Sequence, residues 1–391
     1  MTQNTKLQRS NATRYFFDDR DMDFIFQWSL GAAKTGGLDC GELFHIASRI
    51  KDGDTASWVE EFEGFGDGQR ALAERWAGRG RNRSAGEVMM KAYYAYRQAW
   101  QFAGRGERFL PLISKYEEAF NRAVELLALP MTSIEVPFEA SSLPGLRMDA
   151  GPGTPTLIVI GGGDTSKEDM YHLAGRNAWE RGYTTVIVDL PGQGSTPLRG
   201  LHLMAETERP VGAIVDHLVQ TYGQDTAKLA IIGFSGGGYM ISRALMSERR
   251  IAAGIASTPI LNFGEVLPVE VVRAMANDGA MKDSFQMYLW RSGLSEPVDF
   301  AHLLRTFTTD PSEIRSAFLS ITGLSESPVL IDQTRRFHEK LPVERKTLLE
   351  FDAASGADAH CQINNPTRLA QEAMDWLDET LGVRAVPSTR E

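Results

Sequence analysis

The stretch that decides the fold is Leu229-Ala-Ile-Ile-Gly-Phe-Ser-Gly-Gly-Gly-Tyr-Met-Ile-Ser-Arg-Ala-Leu-Met246. Its first four residues are apolar, as in a buried strand, and the residues after Tyr239 have the apolar spacing of a helix. Between these two parts, Gly-Phe-Ser235-Gly-Gly has the pattern G-x-S-x-G, whose small residues permit a tight turn that projects the serine oxygen from a sheet edge. In this setting the pattern predicts that Ser235 is a nucleophile. The alternative is a glycine-rich turn with an inert serine.

Around this stretch, short β-branched runs alternate with helical segments along the second part of the chain. The alternation predicts βαβ units and a mostly parallel sheet. The predicted strands are Ser133–Glu139, Thr156–Ile160, Thr184–Val188, Leu229–Ile232, Ile251–Ala256, Ala317–Thr322 and Lys346–Phe351. A turn is predicted at Leu143–Gly145 because it contains a Pro-Gly pair. Together with the serine turn, this pattern predicts an α/β-hydrolase fold.

The first part of the chain, residues 1–130, has helical periodicity and almost no strand signal, which predicts an all-helical N-terminal domain. Glycine-rich breaks at Gly64–Gly68 and Gly78–Gly86 are expected to separate its helices. Its aromatic residues recur at helical spacing, which favours packing over ligand contact; these are Tyr93, Tyr94, Tyr96, Trp100 and Phe102. Residues 131–391 are predicted to form the catalytic domain, with a helical cap insertion at about residues 258–311. Substrate specificity is expected to come from the helical domain and the cap.

A serine nucleophile needs a base, and in this fold the chain order is serine, then the acid, then histidine. Three histidines follow Ser235 in the chain, but only His360 lies in a loop between a late strand and the C-terminal helix. His302 falls within the predicted cap, and His338 falls within a helical segment. We therefore predict that His360 is the base.

The acid that orients the histidine should follow the penultimate strand. Glu326 stands there, three residues after Gly323, and Asp332 is the alternative. Glu326 occupies a position where many hydrolases have aspartate, so its side chain must reach one methylene further. Asp352 and Asp358 are further candidates, for which turn capping is the simpler explanation.

Acyl chemistry also requires N–H donors for the developing oxyanion, usually from the residue after the nucleophile and from the loop after an earlier strand. Gly236 supplies the first predicted donor, and Gly163 in the loop Gly161-Gly-Gly-Asp164 supplies the second. A dinucleotide-binding turn is disfavoured because the third glycine of G-x-G-x-x-G is absent. The sequence contains no P-loop, Cys-x-x-Cys or H-E-x-x-H motif, so no cofactor and no metal are predicted.

Composition limits the partners of the chain. Its 391 residues carry a formal net charge of -10 with acidic and basic residues interspersed, which argues against binding nucleic acid. Only Cys40 and Cys361 are present, which suits a reducing compartment. No signal-peptide pattern or apolar run of ~20 residues occurs, so we expect a cytoplasmic protein without membrane contact. A small-molecule substrate is the expected partner, and a homodimer is one oligomeric state that the sequence leaves open.

Motifs along most of residues 134–362 resemble those of the 2,6-dihydroxypseudooxynicotine hydrolase group, which includes fungal polyketide-shortening hydrolases and is related to the fermentation-respiration switch protein. The matching motifs are Ile134-Glu-Val-Pro-Phe-Glu139, Leu143-Pro-Gly145, Gly161-Gly-Gly-Asp-Thr-Ser-Lys-Glu-Asp-Met-Tyr171, Arg181-Gly-Tyr183, Asp189-Leu-Pro-Gly-Gln-Gly194, Gly233-Phe-Ser-Gly-Gly-Gly-Tyr239 and Ala359-His-Cys-Gln362. The resemblance implies a helical N-terminal domain before a hydrolase domain, with Ser235 and His360 in a catalytic triad. It also implies hydrolysis of a carbon–carbon bond next to a ketone.

Fold and triad do not determine which bond is cleaved. The first hypothesis is carbon–carbon bond hydrolysis in a small aromatic or polyketide-like ketone. An esterase, thioesterase or lactonase would use the same residues, and a cyclase or lyase would use the same pocket to stabilise an enolate. A binding protein on a hydrolase scaffold is the hypothesis from a different functional class.

Overall fold

The computed structural model describes residues 13–383. Its strands are β1 (Met131–Phe138), β2 (Ser141–Met148), β3 (Thr156–Ile160), β4 (Thr184–Val188), β5 (Leu229–Phe234), β6 (Ala253–Ser257), β7 (Ala317–Gly323) and β8 (Lys346–Phe351). Its α-helices are α1 (Arg20–Gly31), α2 (Cys40–Ala47), α3 (Thr55–Ala77), α4 (Asn82–Gln101), α5 (Phe109–Leu127), α6 (Lys167–Met170), α7 (Arg176–Glu180), α8 (Glu208–Tyr222), α9 (Gly236–Leu245), α10 (Phe263–Val266), α11 (Val269–Met275), α12 (Met281–Ser292), α13 (Pro297–Leu304), α14 (Pro328–Lys340) and α15 (Pro366–Leu381).

The eight strands form one sheet in the order β1-β2-β4-β3-β5-β6-β7-β8. Strand β2 pairs with β4 in antiparallel orientation, whereas every pairing among β3 to β8 is parallel. The predicted α/β-hydrolase fold with a mostly parallel sheet is thus confirmed. Because the strands are parallel, the loops that follow β3, β5, β6, β7 and β8 meet at one edge of the sheet, where ligands bind in open α/β sheets.

The chain folds into two compact units. The helical unit contains residues 13–131 together with residues 270–290, and the sheet unit contains residues 132–269 and 291–383. The segment predicted as a cap insertion, about residues 258–311, is helical over much of its length and is divided between the two units. Its middle part belongs with the N-terminal helices.

Aromatic side chains fill the core of the helical unit. The five aromatic residues for which packing was predicted are all buried, with at most 2% of each side chain exposed. The ring centroids of Tyr93 and Phe120 are 5.1 Å apart, and those of Trp100 and Phe109 are 5.2 Å apart. Their surroundings agree with the packing interpretation.

One predicted helix break and one predicted turn are wrong. Helix α3 runs through Gly64–Gly68 without interruption. Gly66 permits close packing against α4, because a Cβ on it would lie 2.7 Å from the Tyr96 ring. The predicted turn at Leu143–Gly145 is instead the middle of β2. There a Cβ on Gly145 would lie 2.9 Å from the Ile187 carbonyl oxygen, so the glycine permits close pairing with β4.

Within residues 13–383, no helix is long and apolar enough to cross a membrane.

Candidate active site

Ser235 lies in the tight turn between β5 and α9. Its backbone has φ +54° and ψ −119°, a conformation that side-chain-bearing residues rarely adopt and that marks functional turns. The turn requires its glycines, because a Cβ on Gly233 would lie 2.2 Å from the Gly237 carbonyl oxygen. The Ser235 amide donates to the Ser257 carbonyl oxygen at 3.0 Å, which joins the turn to β6.

His360 reaches Ser235 from the loop after β8. Its Nε2 lies 2.8 Å from Ser235 Oγ, and 9% of His360 is exposed. The loop bends sharply here, since Cys361 and Gln362 both have positive φ, +55° and +53°. His302 and His338 lie on α13 and α14, so the structure brings His360, and not these two, to the serine.

Glu326 lies three residues beyond the end of β7 and faces the other side of the imidazole. Its Oε2 is 2.8 Å from His360 Nδ1, and the residue is 1% exposed. Its Oε1 accepts hydrogen bonds from Thr258 Oγ1 at 2.7 Å, from the Gly323 amide at 3.1 Å and from Thr322 Oγ1 at 3.3 Å. These donors hold the carboxylate in one orientation against the histidine.

The other candidate acids lie elsewhere. Asp332 is on α14, where its exposed side chain pairs with Arg336 at 2.8 Å. Asp352 caps the short turn that follows β8, and Asp358 accepts from Ser325 Oγ at 2.6 Å. The structure therefore places Glu326, and not the alternative Asp332, against His360.

The loop after β3 lies beside the nucleophile. A Cβ on Gly236 would be 3.0 Å from the Gly163 amide nitrogen, and a Cβ on Gly162 would be 3.2 Å from Ser235 Cβ. Gly236 and Gly163, the two predicted oxyanion donors, are thus neighbours at the serine. Only residues without side chains allow this approach.

Two buried side chains outside the set of predicted site residues hold the carbonyl groups of this loop. Gln193 Nε2 donates to the carbonyl oxygens of Gly161 and Gly162 at 2.5 and 2.9 Å. Arg291 donates to the Gly163 carbonyl oxygen at 3.0 Å. Gln193 lies within the motif Asp189-Leu-Pro-Gly-Gln-Gly194, which could have marked it as a site residue. No local sequence pattern marks Arg291.

The pKa of His360 is raised well above its ordinary value. Burial of the ring disfavours the imidazolium, but the Cys361 sulfur and the Glu326 carboxylate favour it and outweigh the burial. The imidazole is therefore a strong proton acceptor for the Ser235 hydroxyl. Among the described residues, no group of three or more His, Cys, Asp or Glu side chains could hold a metal ion.

Comparisons with known proteins agree with the observed fold. A family model described as the alpha/beta hydrolase family matches residues 157–377, more than half of the chain. Hydrolase LUC6 of a Fusarium species is 25% identical over 94% of this chain and 98% of its own length. The 20-hydroxy-prefusarin hydrolase FUS2 of Gibberella moniliformis is 32% identical, over 62% of this chain and 62% of its own length.

Among solved structures, that of 2,6-dihydroxy-pseudo-oxynicotine hydrolase is similar over 92% of this chain and 98% of that one. The TM-score is 0.73 at 22% sequence identity, so this similarity concerns the fold. The resemblance inferred from the motifs is confirmed, and the relationship to the fermentation-respiration switch protein stays a prediction.

Proposed function

Because the chain belongs to the alpha/beta hydrolase family, we propose that it is a serine-type hydrolase that cleaves a carbon–carbon bond next to a ketone. The proposed substrate is a small aromatic or polyketide-like molecule. Ser235 is the proposed nucleophile, His360 the general base and acid, and Glu326 the carboxylate that orients the imidazole.

The observation that carries this proposal is the continuous hydrogen-bond chain from Ser235 through His360 to Glu326, with 2.8 Å at each contact. A carboxylate at Nδ1 fixes the tautomer in which Nε2 accepts the serine proton, and it stabilises the imidazolium that forms. The same three groups in this order serve nucleophilic catalysis on many folds.

In the proposed reaction, Ser235 Oγ adds to the ketone carbon while His360 Nε2 takes the hydroxyl proton. The carbonyl oxygen becomes an oxyanion, for which the amides of Gly236 and Gly163 are the proposed donors. The carbon–carbon bond then breaks, and the carbanion fragment takes the proton from the imidazolium. Water, deprotonated by His360, next cleaves the acyl ester of Ser235 and releases a carboxylic acid. A route in which Ser235 orients water uses the same groups without an acyl-enzyme.

The bond class rests on the motif resemblance, and one relative, FUS2, is named as the hydrolase of 20-hydroxy-prefusarin. An esterase, thioesterase or lactonase would share the proposed triad, and a cyclase or lyase would share the oxyanion donors. Product analysis distinguishes these classes. With β-diketones and acylated aromatic ketones we expect a carboxylic acid and a shortened ketone or arene, and turnover of esters alone would contradict the proposed bond class.

Ser235→Ala tests the nucleophile. We expect turnover to fall by ~10³-fold or more, as for removal of other triad serines, because the proton acceptor has no hydroxyl to activate. A fluorophosphonate probe should label the wild-type chain at Ser235. Ser247→Ala is the control, because it removes an exposed serine just after α9, and the probe should label it as well as the wild type. A Ser235→Ala variant that retains wild-type turnover would contradict the proposal.

A further inference from the structure

The carboxyl end of β6 touches every segment that carries a member of the proposed triad. Ser257 is the last residue of β6 and Thr258 follows it, and both are fully buried. Neither residue touches the reacting atoms in the proposed mechanism. Their contacts nevertheless extend to the serine turn, the acid and the histidine loop.

Thr258 holds the acid. Its Oγ1 donates to Glu326 Oε1 at 2.7 Å, the shortest of the three contacts to that oxygen. This donation leaves Oε2 directed at His360 Nδ1. The Thr258 carbonyl oxygen lies against the start of α9, because a Cβ on Gly238 would be only 2.7 Å from it.

Thr258 has a backbone conformation that is unfavourable for its residue type. Its φ is +66°, in the left-handed region, where a β-branched side chain is a genuine outlier. Such strain persists only where surrounding contacts enforce it, and it concentrates at functional sites. Here the Thr258 amide donates to the Ile321 carbonyl oxygen at 2.7 Å, and this contact to β7 helps to hold the conformation.

Ser257 connects the other two segments. Its carbonyl oxygen accepts from the Ser235 amide at 3.0 Å, at the base of the serine turn. Its hydroxyl donates at 2.9 Å to the side chain of Gln362, a fully buried residue with φ +53° two positions after His360. One residue therefore contacts both segments, the serine turn through its backbone carbonyl and the strained histidine loop through its hydroxyl.

We propose that Ser257 and Thr258 are positioning residues that set the relative placement of Ser235, His360 and Glu326. The inference rests on the proposed function, because it assigns these residues a role through that triad. Thr258 fixes which carboxylate oxygen faces the histidine, and Ser257 fixes the distance between the serine turn and the histidine loop.

Thr258→Val tests the first contact, because valine keeps the branching at Cβ and replaces the hydroxyl donor with a methyl group. We expect kcat to fall by about 10- to 100-fold with KM unchanged, the factor that a hydrogen bond to a charged group is worth. Thr258→Ser retains the hydroxyl and should stay within about 3-fold of the wild-type kcat. Thr185→Val, at a fully buried threonine on β4, is the matched control and should leave kcat unchanged.

A double-mutant cycle with Glu326→Gln distinguishes positioning from general damage. If Thr258 acts through the carboxylate, adding Thr258→Val to the Glu326→Gln variant should lower kcat by less than about 2-fold. An equal loss in both backgrounds would overturn the inference and leave the proposed triad standing. A Glu326→Gln variant with wild-type kcat would overturn the proposed acid, and the inference with it.

Ser257→Ala tests the second contact independently of Thr258. We expect kcat to fall about 10-fold with KM unchanged, while the melting temperature changes no more than in Ser320→Ala, the matched buried serine on β7. A kcat equal to that of the wild type in Ser257→Ala would overturn its assigned role. A loss explained wholly by a lower melting temperature would overturn it as well.

Discussion

The raised pKa of His360 sets the pH range in which this proposed base is neutral. The imidazole must be neutral to accept the serine proton, and its pKa lies well above the ordinary value of about 6.5. We therefore expect kcat/KM to rise with pH through an apparent pKa above about 6.5. A pH–rate profile with chemistry rate-limiting measures this value.

Glu326→Gln is the control for that profile. The variant keeps a group of similar size beside Nδ1 but removes the negative charge that favours the imidazolium, so the acid limb should move to lower pH. An acid limb at the same pH in wild type and variant would contradict the contribution assigned to the Glu326 carboxylate.

Gln193 is the residue on which we expect the loop after β3, with its proposed oxyanion donor Gly163, to depend most. Gln193→Glu replaces the amide N–H donors by a carboxylate oxygen facing the carbonyls of Gly161 and Gly162, so the loop should shift away from the serine. Since loss of one oxyanion donor costs ~10²–10³-fold in kcat, displacement of the loop should cost at least about 10-fold. Steady-state kinetics on the purified variant measures the effect.

Gln333→Glu provides the matched comparison. Gln333 is also fully buried and also bridges backbone groups, accepting from the Leu261 amide at 2.8 Å and donating to the Asn262 carbonyl oxygen at 2.9 Å. It should lose stability without losing kcat. Equal losses of kcat in the two variants would show that Gln193 has no particular role at the loop.

Residues of the site differ in how far the sequence reveals them. Ser235, Glu326 and His360 follow strand ends in a known chain order, so local pattern and order were sufficient to select them. Thr258 and Arg291 contact groups 68 and 128 positions away in the chain, and no local pattern marks such contacts. These contacts form only when segments far apart in sequence are brought together by the fold.

Helix α3 shows how packing reverses an expectation for glycine. Gly→Ala in a helix interior normally stabilises by about 0.5–1 kcal/mol. At Gly66, however, a Cβ would lie 2.7 Å from the Tyr96 ring, so we expect Gly66→Ala to lower the free energy of unfolding by about 1–3 kcal/mol. Urea denaturation followed by circular dichroism measures the change.

The same helix offers an internal control, because a Cβ on Gly68 would meet no atom within 4 Å. Gly68→Ala should therefore raise the free energy of unfolding by up to about 1 kcal/mol. If both variants changed stability in the same direction, close packing would not be the reason for Gly66.

Elements with strong local signals were predicted well. Strands β3 and β4 have the bounds expected from their β-branched runs, since they lie in the sheet centre and are apolar throughout. The errors at Gly64–Gly68 and Leu143–Gly145 have one physical cause. In both cases glycine permits the close approach of a neighbouring element and does not interrupt its own helix or strand.

The helical unit is assembled from two stretches of chain that are far apart in sequence. Trp290, in the second stretch, lies 6.5 Å from the Trp100 ring and 5.2 Å from the Phe109 ring. We expect Trp290→Ala to destabilise this unit by about 2–4 kcal/mol, because a large aromatic contact is lost. Native-state hydrogen exchange should show reduced protection in α4 and α5, with β3 to β7 unchanged.

Phe337→Ala is the reciprocal variant. Phe337 is fully buried in the sheet unit, with its ring 5.1 Å from Phe318 on β7. Its truncation should reduce protection in β7 and leave α4 and α5 unchanged. A uniform loss of protection in either variant would contradict the division into two compact units.

The discontinuous helical unit also has a consequence for synthesis on the ribosome. About 140 residues separate the end of its first stretch from the start of its second, and at ~5–20 residues per second they take roughly 7–30 s to translate. During that interval Trp100 and Phe109 have no Trp290 to pack against. The nascent helices therefore expose aromatic surface for many seconds, long enough for chaperones to bind before the last helix of the unit emerges.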